Sequence, residues 1–148
     1  MYKIKSIIFD LDGVLVETKD LHFKALNKSL IDCKTNTQIT YDEHIKIFDG
    51  LPTDEKLNIL NKSKRLDPKK NSKVKKLKQI YTEKLLKNEI KFNNKIYNFF
   101  EKLSKKYSLA IATNAVRPTL NICIKKLKIK KFLTHTISNE EIENPKPH

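Results

Sequence analysis

A short β-branched run, Ile7-Ile8-Phe9, that stops at Asp10-Leu11-Asp12-Gly13 is the feature that most restricts what this chain can fold into. An apolar run without alternation, closed by a glycine-containing turn, predicts a buried parallel strand. Open α/β sheets bind their ligands beyond the carboxyl ends of such strands. Two carboxylates therefore stand at a position where chemistry is done.

The rest of the chain supplies the other elements of that architecture. From Leu21 to Leu86 the apolar spacing is helical throughout. Leu21, Ala25, Leu26 and Leu30 share one face, and a second helix is expected over 41–48. The turn Asp49-Gly50-Leu51-Pro52-Thr53 breaks the pattern, with Thr53 placed to cap the helix that carries Leu57, Ile59 and Leu60. After Asp67-Pro68, a further helix is striped by Val74, Leu77, Tyr81 and Leu85. An α/β rhythm then resumes. Ile96, Phe99, Phe100, Leu103 and Tyr107 follow helical spacing, Ser108–Thr113 reads as a second buried strand, and a helix is expected near 117–127. Residues 134–138 form a candidate third strand, and the prolines on either side of Lys146 stiffen the tail. The predicted fold class is α/β: a doubly wound, parallel, Rossmann-like sheet, incomplete at the C-terminus, with an inserted helical cap. Residues 1–16 and 88–148 would form the core and 17–87 the cap.

Composition narrows the function classes. No stretch approaches the roughly 20 apolar residues of a membrane-spanning helix, and the charged N-terminus lacks a signal peptide's clean apolar segment, so a cytoplasmic protein is expected. Cys33 and Cys123 form no disulfide framework and no metal spacing; Cys123 shares a helical face with Leu120, Ile124 and Leu127 and reads as core. The net charge of +14 invites a nucleic-acid partner. Arg65 and Arg117 are the only arginines, however, and the lysines are spread along the chain, so attraction of a small anionic substrate is the better reading.

The candidate site residues converge on the strand ends: Asp10 and Asp12 after the first strand, Thr113 and Asn114 after the second. A carboxylate can attack phosphorus and divide one difficult displacement into two. A second carboxyl can protonate the leaving oxygen and then deprotonate water. Lys146 and the Thr113 hydroxyl could supply the positive charge and the donors that phosphoryl oxygens need. The competing reading of Asp10-x-Asp12-Gly13 as a calcium loop fails, because Val14 and Leu21 stand where an EF-hand needs oxygen ligands.

Phe9-Asp10-Leu11-Asp12-Gly13-Val14-Leu15 resembles motif I of the haloacid dehalogenase superfamily. Ile111-Ala112-Thr113-Asn114 is similar to its motif II and Asn144-Pro145-Lys146-Pro147-His148 to its motif III. Leu21-His22-Phe23-Lys24-Ala25-Leu26 and Gly50-Leu51-Pro52-Thr53 are similar to cap segments of β-phosphoglucomutase and phosphoglycolate-phosphatase relatives. The resemblance implies Asp10 as nucleophile and Mg²⁺ ligand, and Asp12 as general acid/base that also offers its backbone carbonyl to the metal. It implies Thr113 and the Asn114 amide as phosphoryl holders and Lys146 as the balancing cation. His22, Gly50 and Lys78 are the implied substrate-facing cap residues, although the 69–78 lysine run by itself reads as a wet helix face, and His44 and His135 carry no implied role.

The family pattern continues past Lys146 with an acidic motif IV that completes the metal site, and no acid elsewhere in this chain replaces it. The missing strands would leave the first strand as an apolar edge, and a chain ending here is expected to have little activity. An acid at Asp12 favours a Mg²⁺-dependent phosphatase acting on a small phosphate monoester, of sugar-phosphate or phosphoglycolate type, through an aspartyl-phosphate. A β-phosphoglucomutase-like phosphomutase is the alternative, and an inactive truncated relative or binding module is the alternative of another class. The expected partner is a small phosphorylated metabolite, not nucleic acid and not a membrane.

Overall fold

In the computed structural model, residues 3–144 and Lys146 are described. The chain divides into two compact units: one is built from residues up to Thr18 and from Leu86 onward, the other is Lys19–Leu85. The division falls two residues inside each end of the 17–87 segment read from the sequence.

The first unit carries the sheet. Its strands are β1 (Ser6–Phe9), β2 (Ser108–Ala112) and β3 (Leu133–Ile137), in the order β1-β2-β3 and all parallel. This is the α/β, Rossmann-like sheet the sequence predicts. In the central strand, Leu109 and Ile111 are fully buried. The pairing of β2 with β3 slips once: Leu109 faces Leu133 but Ala110 faces His135, leaving Thr134 as the extra residue of a bulge. The Thr134 hydroxyl donates to the Leu109 carbonyl at 3.0 Å.

The first strand is not buried as its composition alone suggests; it is the apolar edge that the motif pattern predicts. β1 pairs with β2 alone and forms an edge among the described residues, with Ile8 69% exposed. Its inner side is seated on aromatic rings: Phe9 lies 4.7 Å from Phe100, centroid to centroid, and 6.1 Å from Phe99. Both partners belong to α5 (Asn94–Ser104), whose first turn is capped by the Asn93 side chain accepting from the N–H groups of Lys95 and Ile96. The last helix of this unit, α6 (Arg117–Leu127), begins with a proline in its first turn and ends at Lys128 in the left-handed region. It buries Leu120, Cys123, Ile124 and Leu127, the face that its spacing foretold.

The second unit is helical. It contains α1 (Lys19–Asp32), the short α2 (Tyr41–Glu43), α3 (Thr53–Lys62) and most of α4 (Asn71–Glu89). Where one helix was expected over 41–48, α2 passes into a π-helical turn at His44–Phe48. This wider turn places His44 and Phe48 in the interior, both fully buried. Leu26, Leu30, Ile39, Phe48, Leu57, Leu60, Leu66 and Val74 form one apolar cluster. Asn27 ties the connection after α1 to that helix, since its side-chain amide donates to the Ile39 carbonyl and accepts from the Ile39 N–H, both at 2.8 Å.

Thr53 does not cap α3. It is the first helical residue, Pro52 occupies the cap position, and the Thr53 hydroxyl instead accepts from Lys78. The stiff turn expected around Lys146 lies, apart from Lys146 itself, outside the described residues, as does His148. Among the described residues no helix is long and apolar enough to cross a membrane.

Candidate functional site

The site is built on the loops that leave the carboxyl ends of the sheet. After β1 the chain turns tightly: the N–H groups of Leu15 and Val16 donate to the Leu11 carbonyl, and the Gly13 N–H donates to the Val16 carbonyl at 2.8 Å. Leu11 is fully buried and anchors the turn, so that Asp10 and Asp12 to either side of it stay accessible to partners. Gly13 has φ +75°, and a Cβ there would meet nothing within 4 Å. Glycine is required by the backbone conformation alone, not by a close neighbour.

Each carboxylate is held differently. Asp10 Oδ1 accepts from the Leu11 N–H and from Lys146 Nζ, both at 2.7 Å. Its Oδ2 carries no hydrogen bond among the described residues. The Asp10 and Lys146 side chains are 44% and 39% exposed, so their ion pair faces solvent. Asp12 is half-buried and takes two hydroxyls. Thr18, 1% exposed, donates to Oδ1, and Thr113, 3% exposed, donates to Oδ2 at 3.4 Å.

Thr113 continues the β2–β3 ladder through its N–H to the Ile137 carbonyl, and its hydroxyl oxygen accepts from the Ala115 N–H. The Asn114 N–H has no hydrogen bond among the described residues and remains available to a ligand oxygen. The Asn114 side chain is committed to Lys146: Oδ1 accepts from the Lys146 N–H at 3.0 Å and Nδ2 donates to its carbonyl at 3.2 Å. Lys146 Nζ completes the arrangement by donating to the Ala112 carbonyl at 3.0 Å. Two hydrogen-bonded sets thus stand side by side at the strand ends, Asp10 with Lys146 and Asn114, and Asp12 with Thr113 and Thr18, joining residues as much as 136 positions apart.

Asp10 and Asp12 present the hard oxygen donors that suit a small divalent cation. No group of three or more His, Cys, Asp and Glu capable of holding a metal occurs among the described residues. The donors that are present fit a cation bound by the open Asp10 carboxylate oxygen and the Asp12 backbone carbonyl, with its remaining positions left to water or a ligand, as Mg²⁺ is commonly held.

Buried below these loops is Cys123, whose thiol is pushed up to about 12 by burial and then by the nearby charge of Asp12. It is a packing residue at neutral pH. A groove of about 510 Å³ lined by Lys5, Lys106, Tyr107, Ser108, Lys131 and Thr134, among others, opens at the opposite ends of the strands. Neither aspartate reaches it.

These features match a known family. Its sequence profile, the haloacid dehalogenase-like hydrolases, covers residues 7–148. The chain belongs to that family. It is 26% identical over 146 residues to pyrophosphatase PpaX of Anoxybacillus flavithermus, covering 98% of this chain and 64% of that protein. It is 28% identical over 148 residues to a phosphorylated carbohydrates phosphatase of Thermotoga maritima, covering 97% and 65%. The fold matches CbbY of Rhodobacter sphaeroides, solved with phosphate, at a TM-score of 0.85 and 19% identity, over 98% of this chain and 68% of that one. The chain thus spans just under two thirds of the length of these curated relatives.

The cap candidates belong to the other unit and are described within it. His22 lies half-buried on α1, and Gly50 sits in an exposed turn with φ +74°. Lys78 contradicts the wet-face reading of its lysine run: Lys73, Lys75 and Lys76 are exposed, whereas Lys78 is 7% exposed and donates to Thr53 Oγ1 at 3.2 Å. Lys56, not singled out from the sequence, is equally buried. His44, given no role from the sequence, is fully buried beside Phe23 and Tyr41, with a pKa held below the usual histidine value by burial and then by the charge of Lys56.

Sequence reasoning also missed Thr18, since a threonine six positions after an aspartate carries no pattern that announces a hydrogen bond. For Asn114 it expected a backbone contact to substrate and did not anticipate the side-chain pairing with Lys146.

Proposed function

We propose that this chain carries the nucleophile and the acid/base of a Mg²⁺-dependent phosphatase that hydrolyses a small phosphate monoester of sugar-phosphate or phosphoglycolate type. The observation that carries the reading is the unequal treatment of the two carboxylates. Asp10 is held by one oxygen, on Lys146 and the Leu11 amide, with its second oxygen open. Asp12 is oriented by hydroxyls at both oxygens. In-line attack needs an oriented oxygen with a free lone pair, whereas proton transfer needs a carboxyl fixed in direction.

In this mechanism Asp10 Oδ2 forms a bond to phosphorus as the bond to the leaving alkoxide breaks, and Asp12 gives that alkoxide its proton. Water then attacks the aspartyl-phosphate, Asp12 takes the water's proton, and Asp10 is regenerated with release of inorganic phosphate. Lys146 and the Asn114 N–H balance the charge of the phosphoryl oxygens, which is the main electrostatic requirement of phosphoryl transfer. Mg²⁺, held by Asp10 and by Asp12 through its backbone carbonyl, would neutralise further phosphoryl charge. The names of the relatives, a pyrophosphatase and a phosphorylated carbohydrates phosphatase, support a small phosphorylated substrate.

The test is Mg²⁺-dependent release of phosphate from an aryl phosphate by the chain and by Asp10→Asn. Turnover that vanishes in the variant supports the assignment. Measurable turnover of equal rate in both would overturn it.

A further inference from the structure

We propose that Asn114 is the positioning residue for Lys146, and that its side-chain amide fixes the backbone from which the lysine reaches Asp10. The proposal rests on the phosphatase reading only for what Lys146 does; the clamp itself stands on geometry.

Lys146 is the single backbone donor between Pro145 and Pro147, because proline has no N–H. That one donor goes to Asn114 Oδ1 at 3.0 Å, and the Lys146 carbonyl accepts from Asn114 Nδ2 at 3.2 Å. An asparagine amide carries an acceptor and a donor side by side, so it can pair with both polar groups of one residue as a neighbouring strand would. Asn27 makes the same two-point pairing with Ile39 in the helical unit, where it fixes a connection rather than a catalytic group. At Lys146 the pairing has a consequence at the side chain. Nζ bridges Asp10 Oδ1 at 2.7 Å and the Ala112 carbonyl at 3.0 Å, two acceptors at the carboxyl ends of different strands that a drifting backbone could not serve together.

The loop that carries Lys146 is secured at its other end as well. Arg117 donates through Nη1 to Thr136 Oγ1 at 2.8 Å, through Nη2 to the Thr136 carbonyl at 3.1 Å, and to Glu141. Glu141 in turn accepts from the Ser138 N–H at 2.9 Å, and the Asn139 N–H donates to the Ala115 carbonyl at 3.2 Å. These contacts fix residues 136–141 and stop short of the lysine. Among the described residues, 142–144 carry no hydrogen bond, so the Asn114 amide is the contact that sets where the lysine stands.

The experiment is amide exchange by NMR, with lysine-resolved acetylation read by mass spectrometry, on the full chain and on Asn114→Ala. In the unmodified chain the Lys146 N–H is expected to exchange about tenfold more slowly than an unprotected amide. In Asn114→Ala that protection disappears and acetylation of Lys146 rises severalfold, while the amides of Ala110 and Ile111 stay protected. Under turnover, kcat falls by about a hundredfold with KM changed less than twofold, the pattern of a displaced catalytic group. An unprotected Lys146 N–H in the unmodified chain overturns the proposal, and that measurement stands even if the variant does not fold. Unchanged Lys146 acetylation in a folded Asn114→Ala also overturns it. A protected Lys146 in a chain whose phosphate release is unaffected by Asp10→Asn supports the clamp and counts against the phosphatase reading instead.

Discussion

Lowering the pH from 7.5 to 5.5 should destabilise the helical unit through one residue, His44. Its ring is fully buried, and among the described residues neither nitrogen has a hydrogen-bond partner of good geometry. Burial holds its pKa down most strongly and the charge of Lys56 adds to that; Asp49 and the Lys19 backbone oppose the shift, and His22 reinforces it weakly. Above the unfolded value of 6.5 the ring is neutral in both states and stability is complete. Below it the unfolded chain takes up a proton that the folded chain refuses, so stability falls with pH until the lowered folded pKa is reached. The slope is at most about 1.4 kcal/mol per pH unit, so one unit below the unfolded value costs up to about 1.4 kcal/mol. With a urea dependence of about 2 kcal/mol per M, the midpoint should drop by up to about 0.7 M. The assay is urea unfolding followed by far-UV circular dichroism at both pH values, on the native sequence and on His44→Leu. Leucine is of similar size and would sit beside Phe23 and Tyr41, whose rings lie 5.4 and 6.4 Å from the imidazole. The variant should lose the His44 part of the pH response while keeping its midpoint at pH 7.5. If both proteins lose the same stability between the two pH values, the reasoning is refuted.

Thr18→Val removes the buried hydroxyl that donates to Asp12 and keeps the shape; a hydrogen bond to a charged group predicts a loss of about 1.5–3 kcal/mol in urea unfolding, and an unchanged midpoint would show that the contact contributes nothing. Ile8→Lys on the exposed edge should leave stability within about 0.5 kcal/mol while reducing concentration-dependent light scattering; equal scattering would mean that β1 is not the surface through which chains associate. With its thiol pushed up to about 12, Cys123 should resist iodoacetamide at pH 8 in the folded chain and react after denaturation, as read by peptide mass spectrometry. Rapid alkylation of folded protein would contradict the burial that sets this value.

Much of the architecture was legible in local sequence because local physics sets it. The bounds of α6 follow from Pro118 near its start and from the spacing of Leu120, Cys123, Ile124 and Leu127. The strand β2 follows from an unbroken apolar run, and the turn after β1 from a glycine, which adopts φ +75° without the cost a side chain would add. The aspartate pair and the lysine were identifiable because residue type and strand-end position restrict what such groups can do. Local signals failed where a partner far along the chain decided the outcome. The composition of β1 alone implied cover on both faces, whereas the motif pattern implied an edge; burial depends on which strands lie beside it, and β2 is its only neighbour among the described residues. The spacing over 41–48 suggested a plain helix, whereas a π-helical turn rotates His44 and Phe48 into the interior.

By itself, then, the sequence determined the alternation of elements, the helical segment between the first two strands and the acids at the strand ends, since each is written in contiguous residues. Only the tertiary structure decided that Thr18 and Thr113 hold Asp12, that Asn114 grips the Lys146 backbone, and that Lys78 turns inward to Thr53. Most of these contacts join residues 25 to 101 positions apart. Their partners are chosen by where the sheet and helices deliver each side chain, and no periodicity in the chain encodes that.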